Sequence, residues 1–211
     1  MRLEKASHKA IVYACMNFHY AKSIPVNTFG YSVFNNKNEW CGVVLYARGA
    51  NNNLADQYEL VQGNVIELVR MALNGKQEST SKSLSLSLRL LKKDLPLCKL
   101  IVSYADIDQN HNGIIYQATN WCYTGKSMVN KKDGSFLISG KRIHGKTISD
   151  KCKKYKLIKN IENIKKVYKT DNVIEYVTKG KIKYIYPLSK DLINLCKSLS
   201  KPYPKKQAEE A

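Results

Sequence analysis

The sequence predicts an α/β (α+β) fold, in which helices flank a mixed central sheet and a basic extension follows. Residues 99–127 carry the clearest evidence, because a short apolar run is followed by a polar turn, a helical pattern and a second apolar run. Residues 4–22 and 84–95 have apolar side chains at helical spacing, so each can cover a sheet. At 211 residues the chain is long enough to bury a core and is most simply one domain.

The N-terminal part alternates between helical and extended patterns. Residues 4–22 predict a helix that ends before Pro25, since proline breaks a helix. An Asn-rich turn joins two predicted antiparallel strands, a short helix and another strand follow, and leucines at helical spacing predict the next helix. These elements are expected at residues 31–34, 40–46, 54–60, 64–73 and 84–95.

Residues 99–127 predict a strand, a polar turn, a short helix and a second strand. The first strand, Leu100-Ile101-Val102, should end at Tyr104 or Ala105. Asp106 follows immediately, at the place where open α/β sheets bind their ligands, whereas Asp108 is the favoured helix cap. Ile114, Ile115 and Ala118 share a helical face, and residues 121–123 form the returning strand.

The C-terminal part predicts one more strand, a lysine-rich helix or helix pair, a hairpin across Lys179-Gly180 and a final helix. The strand is expected at residues 136–138 and the helical region at 150–169. The two hairpin strands are expected at 173–177 and 181–187, and the last helix at 190–199.

Charge is the strongest compositional signal. The chain has 35 Lys and Arg against 17 Asp and Glu, a net charge of +18, which indicates a polyanionic partner. Nineteen basic and seven acidic residues lie between Lys141 and Ala211, so we expect a core over residues 1–140 and a nucleic-acid-contacting extension over 141–211, packed on it. The predicted contact residues are Lys141, Arg142, Lys153, Lys154, Lys181, Lys183, Lys205 and Lys206.

Several other chemistries have little support. The six cysteines are scattered without CxxC spacing, so they are expected to be reduced and structural. No apolar run has the length of a membrane span, and no signal peptide is recognisable, so no membrane partner is expected. Gly125-Lys126-Ser127 lacks the earlier glycine of a phosphate-binding loop, and His111 is expected to be a solvated residue, not a metal ligand.

Residues 99–127 resemble the last part of the GNAT acyltransferase core, with Tyr116 matching the tyrosine that approaches the acyl donor. The sequence from Tyr104 to Ser127 resembles, more specifically, the Mom family of bacteriophage DNA adenine modification proteins. Moderately specific matches at residues 18–23, 66–70 and 183–188 extend the resemblance over most of the chain.

The resemblance implies transfer of a carbamoylmethyl group to the exocyclic amine of adenine in phage DNA, which shields that DNA from restriction nucleases in the cytoplasm of the infected bacterium. Double-stranded DNA is then a partner, and Tyr20, Trp121 or Tyr123 could stack on a flipped adenine. His19 and Tyr20 match the family's His-Tyr pair, with roles in stacking or proton transfer.

Asp106 is the candidate base and Tyr116 the candidate acid. Asp106 could act as base or accept a hydrogen bond from the adenine amine, and the Tyr116 phenol could return a proton to a leaving group. Which residue is the general base stays open. Arg70 matches a family arginine near the donor, and Glu67 is expected beside the donor as well. Because residues three apart on a strand point to opposite faces, Glu67 and Arg70 are not expected to pair directly.

The sequence offers two candidate donors, acetyl-CoA and an activated glycine. In the GNAT fold a strand-to-helix turn holds donor phosphates, but the usual glycine-rich turn is replaced here by residues 76–81, which include Ser79 and Ser81, the latter matching a family serine. Simple acyl transfer from acetyl-CoA also leaves a carbonyl on the amine. An activated glycine, such as glycyl-tRNA, followed by rearrangement explains the product better, and would make tRNA a further partner.

Three alternatives remain open. Iron-assisted use of acetyl-CoA has been associated with the family, although no metal triad is visible in the sequence. The chain could instead be an ordinary GNAT N-acetyltransferase that uses acetyl-CoA on a protein or small molecule. It could also be a non-catalytic basic DNA-binding protein. The oligomeric state is not predicted.

Overall fold

The computed structural model of the chain describes residues 1–48 and 53–204. The first half contains β1 (Arg2–Lys5), α1 (His8–Asn17), β2 (Phe29–Phe34), β3 (Trp40–Ala47), β4 (Val65–Leu73), α2 (Thr80–Asp94) and β5 (Leu100–Asp106). The second half contains α3 (Ile114–Gln117), β6 (Cys122–Ser127), β7 (Lys131–Ile138), β8 (Lys141–Ile143), α4 (Gly145–Lys154), α5 (Ile161–Tyr168), β9 (Val173–Thr178), β10 (Lys181–Pro187) and α6 (Ile193–Ser198). The predicted α/β class is confirmed.

The chain divides into two compact units. Of the described residues, the first unit contains 1–48, 53–105, 111–125 and 182–204, and the second contains 106–110 and 126–181. This division differs from the predicted boundary at Lys141. The reason is that β10 is a strand of the large sheet, so the chain returns to the first unit instead of continuing as an extension.

A seven-stranded mixed sheet forms the first unit, in the order β1-β2-β3-β4-β5-β10-β6. The four N-terminal strands pair antiparallel, whereas β4 and β5 pair in parallel. A parallel pair needs a crossover connection, and α2 supplies it. Its N-terminus is capped by Ser79, whose hydroxyl accepts a hydrogen bond from the Lys82 amide.

The two long helices of the first unit cover opposite faces of the sheet. Alternate side chains of a strand point to opposite faces, and on β3 Val43 and Leu45 pack against α1. Tyr46 lies on the other face, where its hydroxyl is 2.7 Å from Ser87 Oγ of α2. The central strands are therefore buried on both sides, which explains their nearly continuous apolar sequence.

The second unit has its own antiparallel sheet, in the order β8-β7-β9, and its own apolar core. Helices α4 and α5 contribute Ile148, Cys152 and Ile164 to that core, where they meet Phe136 and Ile138 of β7. The predicted lysine-rich helical region is thus a helix pair.

An ionic cluster ties together distant parts of the second unit. Arg142 contacts both Asp108, at 2.9 Å, and Asp133, at 2.6 Å. Asp108 also accepts hydrogen bonds from the Thr178 hydroxyl and the Lys179 amide. Although burial alone would raise the pKa of Asp108, these hydrogen bonds and the guanidinium hold it below its usual value. The carboxylate therefore stays charged and links residues 106–110 to both edge strands of the small sheet, β8 and β9.

Several predicted elements differ from the structure. The predicted hairpin over residues 173–187 is wrong, because β9 pairs with β7 whereas β10 lies between β5 and β6. The N-terminal helix covers only His8–Asn17, and a 3-10 helix, Asp56–Tyr58, replaces the one expected at 54–60. The helix expected after Asp106 is a 3-10 turn followed by the four-residue α3.

The six cysteines are all free, and five of them are buried. Among the described helices, none is both long enough and apolar enough to cross a lipid bilayer.

Replacing Arg142 by Met should destabilise the second unit by about 3 kcal/mol, because two largely buried carboxylates would lose their countercharge. Hydrogen exchange of peptides from β7 and β9 should accelerate, while peptides from β3 stay protected. Lys141→Met is the matched control, since it removes an exposed charge from the neighbouring position. Equal exchange in the two variants would show that the ionic cluster does not support this unit.

Candidate active site

The parallel strands β4 and β5 separate halfway along their length. Their pairing runs from Val65 beside Leu100 to Leu68 beside Ser103, although both strands continue further. A bulge marks the same place: Leu45 pairs with Arg70 and Tyr46 with Leu68, which leaves Val69 as the extra residue. Beyond Leu68 of β4 and Ser103 of β5, the two backbones therefore border an opening in the sheet.

The bulge also changes which side chains of β4 share a face. Arg70 pairs with Leu45 and Glu67 pairs with Ala47, and these two residues of β3 lie on the same face. Glu67 and Arg70 consequently share that face, contrary to the prediction that their side chains point apart. The prediction assumed an unbroken strand, and the extra residue reverses the alternation.

Tyr116 lies at the separation point. Its hydroxyl is 2.8 Å from Ser103 Oγ, which is also 2.8 Å from the carbonyl oxygen of Leu68. Ser103 has one hydroxyl hydrogen, so it can donate to only one of these oxygens at a time. Burial raises the pKa of Tyr116 to about 12, although the Ser103 hydrogen bond opposes this. The phenol therefore keeps its proton near neutral pH, as a proton donor must.

The Tyr116 ring is held by its neighbours. Ring centroids of Trp121 and Tyr184 lie 5.1 and 4.9 Å away. Gly113, directly before α3, has a φ of +73°, and a Cβ there would lie 2.2 Å from the Tyr184 ring. Only glycine fits this position, so the start of α3 is pressed against Tyr184.

His19 follows α1 and is partly buried. Its Nδ1 accepts a hydrogen bond from the Ala21 amide at 3.1 Å, so the neutral ring carries its proton on Nε2. Burial, followed by the charges of Arg70, His111 and Lys22, lowers the pKa of His19 to about 4. The imidazole is therefore neutral at physiological pH and presents Nε2 as a hydrogen-bond donor.

Tyr20 forms a ring cluster with His19 and His111. Its centroid is 4.2 Å from that of His19 with an interplanar angle of 31°, and the His111 ring meets it edge-on at 5.8 Å. Half of the Tyr20 surface is exposed. A negative charge on the Tyr20 oxygen would oppose ionisation of Tyr116, so the two phenols are close enough to interact electrostatically. We therefore define the ring cluster as His19, Tyr20 and His111.

Arg70 supplies positive charge beside the ring cluster. Its Nη1 donates to the carbonyl oxygen of Ser23. Its Nε is buried and has no hydrogen-bond partner among residues 1–48 and 53–204. Glu67 lies near enough to oppose ionisation of Tyr116. The predicted residues His19, Tyr20, Glu67, Arg70 and Tyr116 are thus brought together.

The predicted phosphate-binding turn has a different construction from a glycine-rich loop. Ser79 caps α2, and its Oγ lies 3.0 Å from Ser81 Oγ. The turn is tied down by Glu78, which accepts a hydrogen bond from the Asn36 amide at 2.5 Å. A helix N-terminus with two hydroxyls suits a phosphate, but the Glu78 carboxylate beside it weakens that attraction.

Asp106 takes the cap role that was predicted for Asp108. Asp106 is the cap, since its Oδ1 accepts a hydrogen bond from the Asp108 amide at 3.0 Å. Asp108, predicted as the cap, belongs instead to the ionic cluster of the second unit. The structure places Asp106 at the carboxyl end of β5, where the sequence predicted it.

Two predicted nucleic-acid contacts are engaged elsewhere. Arg142 belongs to the ionic cluster and also lies over the Tyr176 ring, at 4.2 Å. Lys183 donates to Gln57 at 2.7 Å, and burial lowers its pKa. The exposed side chains at the remaining described positions are Lys141, Lys153, Lys154 and Lys181. Lys205 and Lys206 lie outside the described residues.

The three stacking candidates differ in burial. Trp121 is fully buried and packs against Tyr116, so it cannot stack on a base from outside. Tyr123 is partly buried against Tyr184, with centroids 5.7 Å apart. Tyr20 is the exposed ring of the three.

Sequence reasoning missed Ser103, and it did not predict that the exposed His111 contacts Tyr20. Ser103 is a polar residue within an apolar strand, which is the signal that could have identified it. His111 was expected to be solvated, and its proximity to Tyr20 comes only from the fold. In the described part of the chain, no three His, Cys, Asp or Glu side chains are placed to hold a metal ion.

The His19 imidazole should titrate near pH 4, with its neutral form protonated on Nε2. Arg70→Gln should raise this pKa towards the ordinary value of 6.5, because a nearby positive charge is removed. Long-range ¹H–¹⁵N NMR measures both the pKa and the tautomer. Arg89→Gln removes an exposed arginine of α2 and should leave His19 unchanged. Titration near pH 6.5 in the wild type would contradict the deduced environment.

Solved structures with a similar fold are known. Two variants of the spermidine N-acetyltransferase SpeG from Vibrio cholerae each match with a TM-score of 0.50 over 92% of this chain. They are 10% and 9% identical to it, and the match covers 99% and 97% of their own chains. The fold is therefore that of the GNAT acyltransferases, as the resemblance predicted.

Of the two sequence comparisons, one identifies a family. A search of curated proteins found no match. The family model described as the Mom protein family matches residues 1–205, which is nearly the whole chain. The region includes the separated strands, Tyr116 and the ring cluster. This chain belongs to the Mom protein family.

Proposed function

We propose that this protein is a phage DNA modification enzyme that converts adenine in double-stranded DNA to N6-carbamoylmethyladenine and so protects that DNA from host restriction. The observation that carries the proposal is the ring cluster beside the protonated phenol of Tyr116, in a GNAT fold of the Mom protein family. An acyltransferase fold supplies the transfer chemistry, and the net charge of +18 suits a DNA substrate.

Tyr20 is the proposed platform for the target adenine. The amine of adenine is paired and stacked within a duplex, so an enzyme that acts on it takes the base out of the stack. Tyr20 is half exposed, and its ring is already held by His19. A base stacked on a fixed aromatic ring loses little of the stacking energy that it had in the duplex.

Hydrogen-bond donors around the ring cluster suit a carbonyl that becomes negatively charged. His19 offers its Nε2 proton, and the partly buried Arg70 side chain lies close enough to lower the pKa of His19. Both would stabilise the oxyanion of a tetrahedral intermediate. This role differs from general-base catalysis by His19, because a ring with a pKa of about 4 is a weak base.

Tyr116 is the proposed acid and Asp106 the proposed acceptor for the adenine amine. A phenol with a pKa of about 12 can return a proton to an alkoxide leaving group, and Ser103 can relay a hydrogen bond to it. Asp106 ends β5, and its cap uses only one carboxylate oxygen, Oδ1, in the described structure. This role for Asp106 is supported by the family resemblance.

For the donor we propose an activated glycine such as glycyl-tRNA. The adenine amine attacks the glycyl ester carbonyl, a C–N bond forms, and the ester C–O bond breaks to release the ribose hydroxyl. The free glycyl amine then attacks C6 of the ring to give a five-membered intermediate. Breaking the bond from C6 to the original nitrogen turns that nitrogen into the terminal amide, which yields carbamoylmethyladenine without any oxidant or reductant.

The turn before α2 supports a donor other than ordinary acetyl-CoA. Its residues 76–81 contain no glycine, and Glu78 is fixed beside the helix N-terminus that would receive a pyrophosphate. A carboxylate there repels a second anion. An ester donor that carries its phosphates elsewhere avoids this conflict.

Tyr116→Phe should lower the amount of modified adenine by about 100-fold or more, because it removes the proposed proton donor while keeping the ring. Asp106→Asn should cause a similar loss, since an amide keeps the cap but cannot accept a proton. The measurement is mass spectrometry of nucleosides from plasmid DNA of expressing cells. Wild-type protein should produce deoxyadenosine that is heavier by one carbamoylmethyl group.

Tyr13→Phe is the matched control, because Tyr13 is an exposed tyrosine of α1. It should modify DNA as the wild type does. Acetylated protein or polyamine together with unmodified adenine would favour an ordinary N-acetyltransferase and reject the proposal.

Labelling with ¹⁵N-glycine should place the label on the nitrogen attached to C6 of the modified adenine. This result is expected because the rearrangement keeps the glycyl amine on the ring and expels the original nitrogen into the amide. Tandem mass spectrometry distinguishes the two positions, since loss of ammonia from the terminal amide would retain the label. Label in the terminal amide would exclude the rearrangement, and no label at all would exclude a glycyl donor.

A further inference from the structure

The second unit carries an unusually large share of the positive charge. Its residues include 16 Lys and Arg against seven Asp and Glu. Some of these cations are occupied within the unit: Arg142 in the ionic cluster, Lys132 with Glu175 and Lys165 with Asp171. Lys151 lies over the Tyr168 ring at 3.7 Å. Lys153, Lys154 and Lys156 are exposed, and all three lie around the end of α4.

Large apolar side chains are exposed at the same place. Tyr155 is 61% exposed, Ile158 is 76% exposed and Ile161 is 48% exposed. We call these three residues the apolar tip. Single exposed apolar residues are common on protein surfaces, but three within seven residues, interspersed with lysines, are not explained by folding.

The loop that carries the apolar tip is anchored. Leu157 packs against the core of the second unit, and its amide donates to the Cys152 carbonyl at 3.0 Å. Asn163 Nδ2 holds the Ile158 carbonyl at 3.0 Å. The exposed side chain of the neighbouring Lys159 donates to the Gly134 carbonyl at 2.8 Å. Tyr155 and Ile158 are thus displayed to solvent by a fixed backbone.

A rigid apolar projection surrounded by cations matches the surface of a duplex. Phosphates flank every base step, so lysines beside the tip can contact them while an apolar side chain enters between bases. Proteins that bend DNA use this arrangement, in which an apolar wedge partly unstacks a base step. A purely apolar protein partner would leave Lys153, Lys154 and Lys156 facing a surface without complementary charge.

We propose that the apolar tip inserts Ile158, supported by Tyr155, at a base step of duplex DNA while the adjacent lysines bind the flanking phosphates. This inference rests on the proposed function, because it takes duplex DNA as the substrate. Unstacking and bending lower the cost of removing an adenine from the helix. The second unit then contributes to base flipping, and is more than a source of non-specific attraction.

The test compares Ile158→Ser with Val61→Ser in the full-length protein. Val61 is 69% exposed and belongs to the first unit, so it is a matched β-branched control that is not part of the apolar tip. Duplexes that contain 2-aminopurine report unstacking by increased fluorescence, and fluorescence anisotropy gives the affinity. Ile158→Ser should lose the fluorescence increase and bind duplex about tenfold more weakly, because an apolar side chain no longer leaves water. Val61→Ser should behave as the wild type.

Salt dependence separates the wedge from the phosphate contacts. Ile158→Ser changes no charge, so the slope of log affinity against log salt should be unchanged. The double variant Lys153→Gln/Lys154→Gln should reduce the magnitude of that slope by about 2, since each lost phosphate contact contributes about 0.9. Circular dichroism of the variants, whose substituted side chains are exposed, checks that the fold is retained.

Three results would overturn the proposal. One is an Ile158→Ser protein that binds and unstacks duplex as the wild type does. Another is a loss of affinity for tRNA alone, with duplex binding unaffected. The third is a loss of binding to phosphatidylserine vesicles with no change on DNA, which would identify a membrane contact.

The proposed reaction can fail independently of the apolar tip. If wild-type protein unstacks duplex through Ile158 but produces no modified adenine, the tip is supported and the reaction is rejected. If wild-type protein modifies adenine and Ile158→Ser binds and modifies equally well, the reaction is supported and the tip is rejected.

Discussion

The separation of β4 from β5 is the constraint on which the candidate site depends. Two parallel strands normally continue to pair along their whole common length, and here a single extra residue at Val69 twists β4 away after Leu68. The bulge has two consequences. It opens the sheet beside Tyr116, and it brings Glu67 and Arg70 to one face. Ser103 closes the paired part of the two strands and supports the Tyr116 hydroxyl, so one structural irregularity organises both the opening and the proton donor.

Electrostatics then decides what the residues around the opening can do. Burial lowers the pKa of His19, and the nearby charges of Arg70 and Lys22 act in the same direction, so the imidazole is neutral and donates from Nε2. The same burial keeps Tyr116 protonated. Both side chains are thus donors, which suits a reaction in which negative charge develops on oxygen. In the second unit, Arg142 forms ion pairs with two carboxylates. Its charge therefore stabilises the fold and is not available to bind a partner.

Much of the fold could be predicted from local patterns. The positions of β2, β3, β4, α2 and β5 follow from alternation, helical spacing and the Asn-rich turn, and all were predicted within a few residues. Pairing between distant segments was less accessible. The strands β9 and β10 look like a hairpin across Lys179-Gly180, yet they belong to different sheets, because the partners β7 and β5 lie far away in the sequence. Sequence distance gives no information on which of two possible partners a strand will choose.

The sequence by itself determined the α/β class and the basic character of the protein. The sequence of residues 104–127 also indicated the family. It also identified His19, Tyr20, Glu67, Arg70 and Tyr116 as candidates. Only the tertiary structure decided that Glu67 and Arg70 share a face, that His111 contacts Tyr20, that Asp106 is a cap and that Arg142 is internal. The physical reason is that residue type and spacing set local conformation, whereas the pKa, tautomer and availability of a side chain depend on neighbours that are remote in the chain.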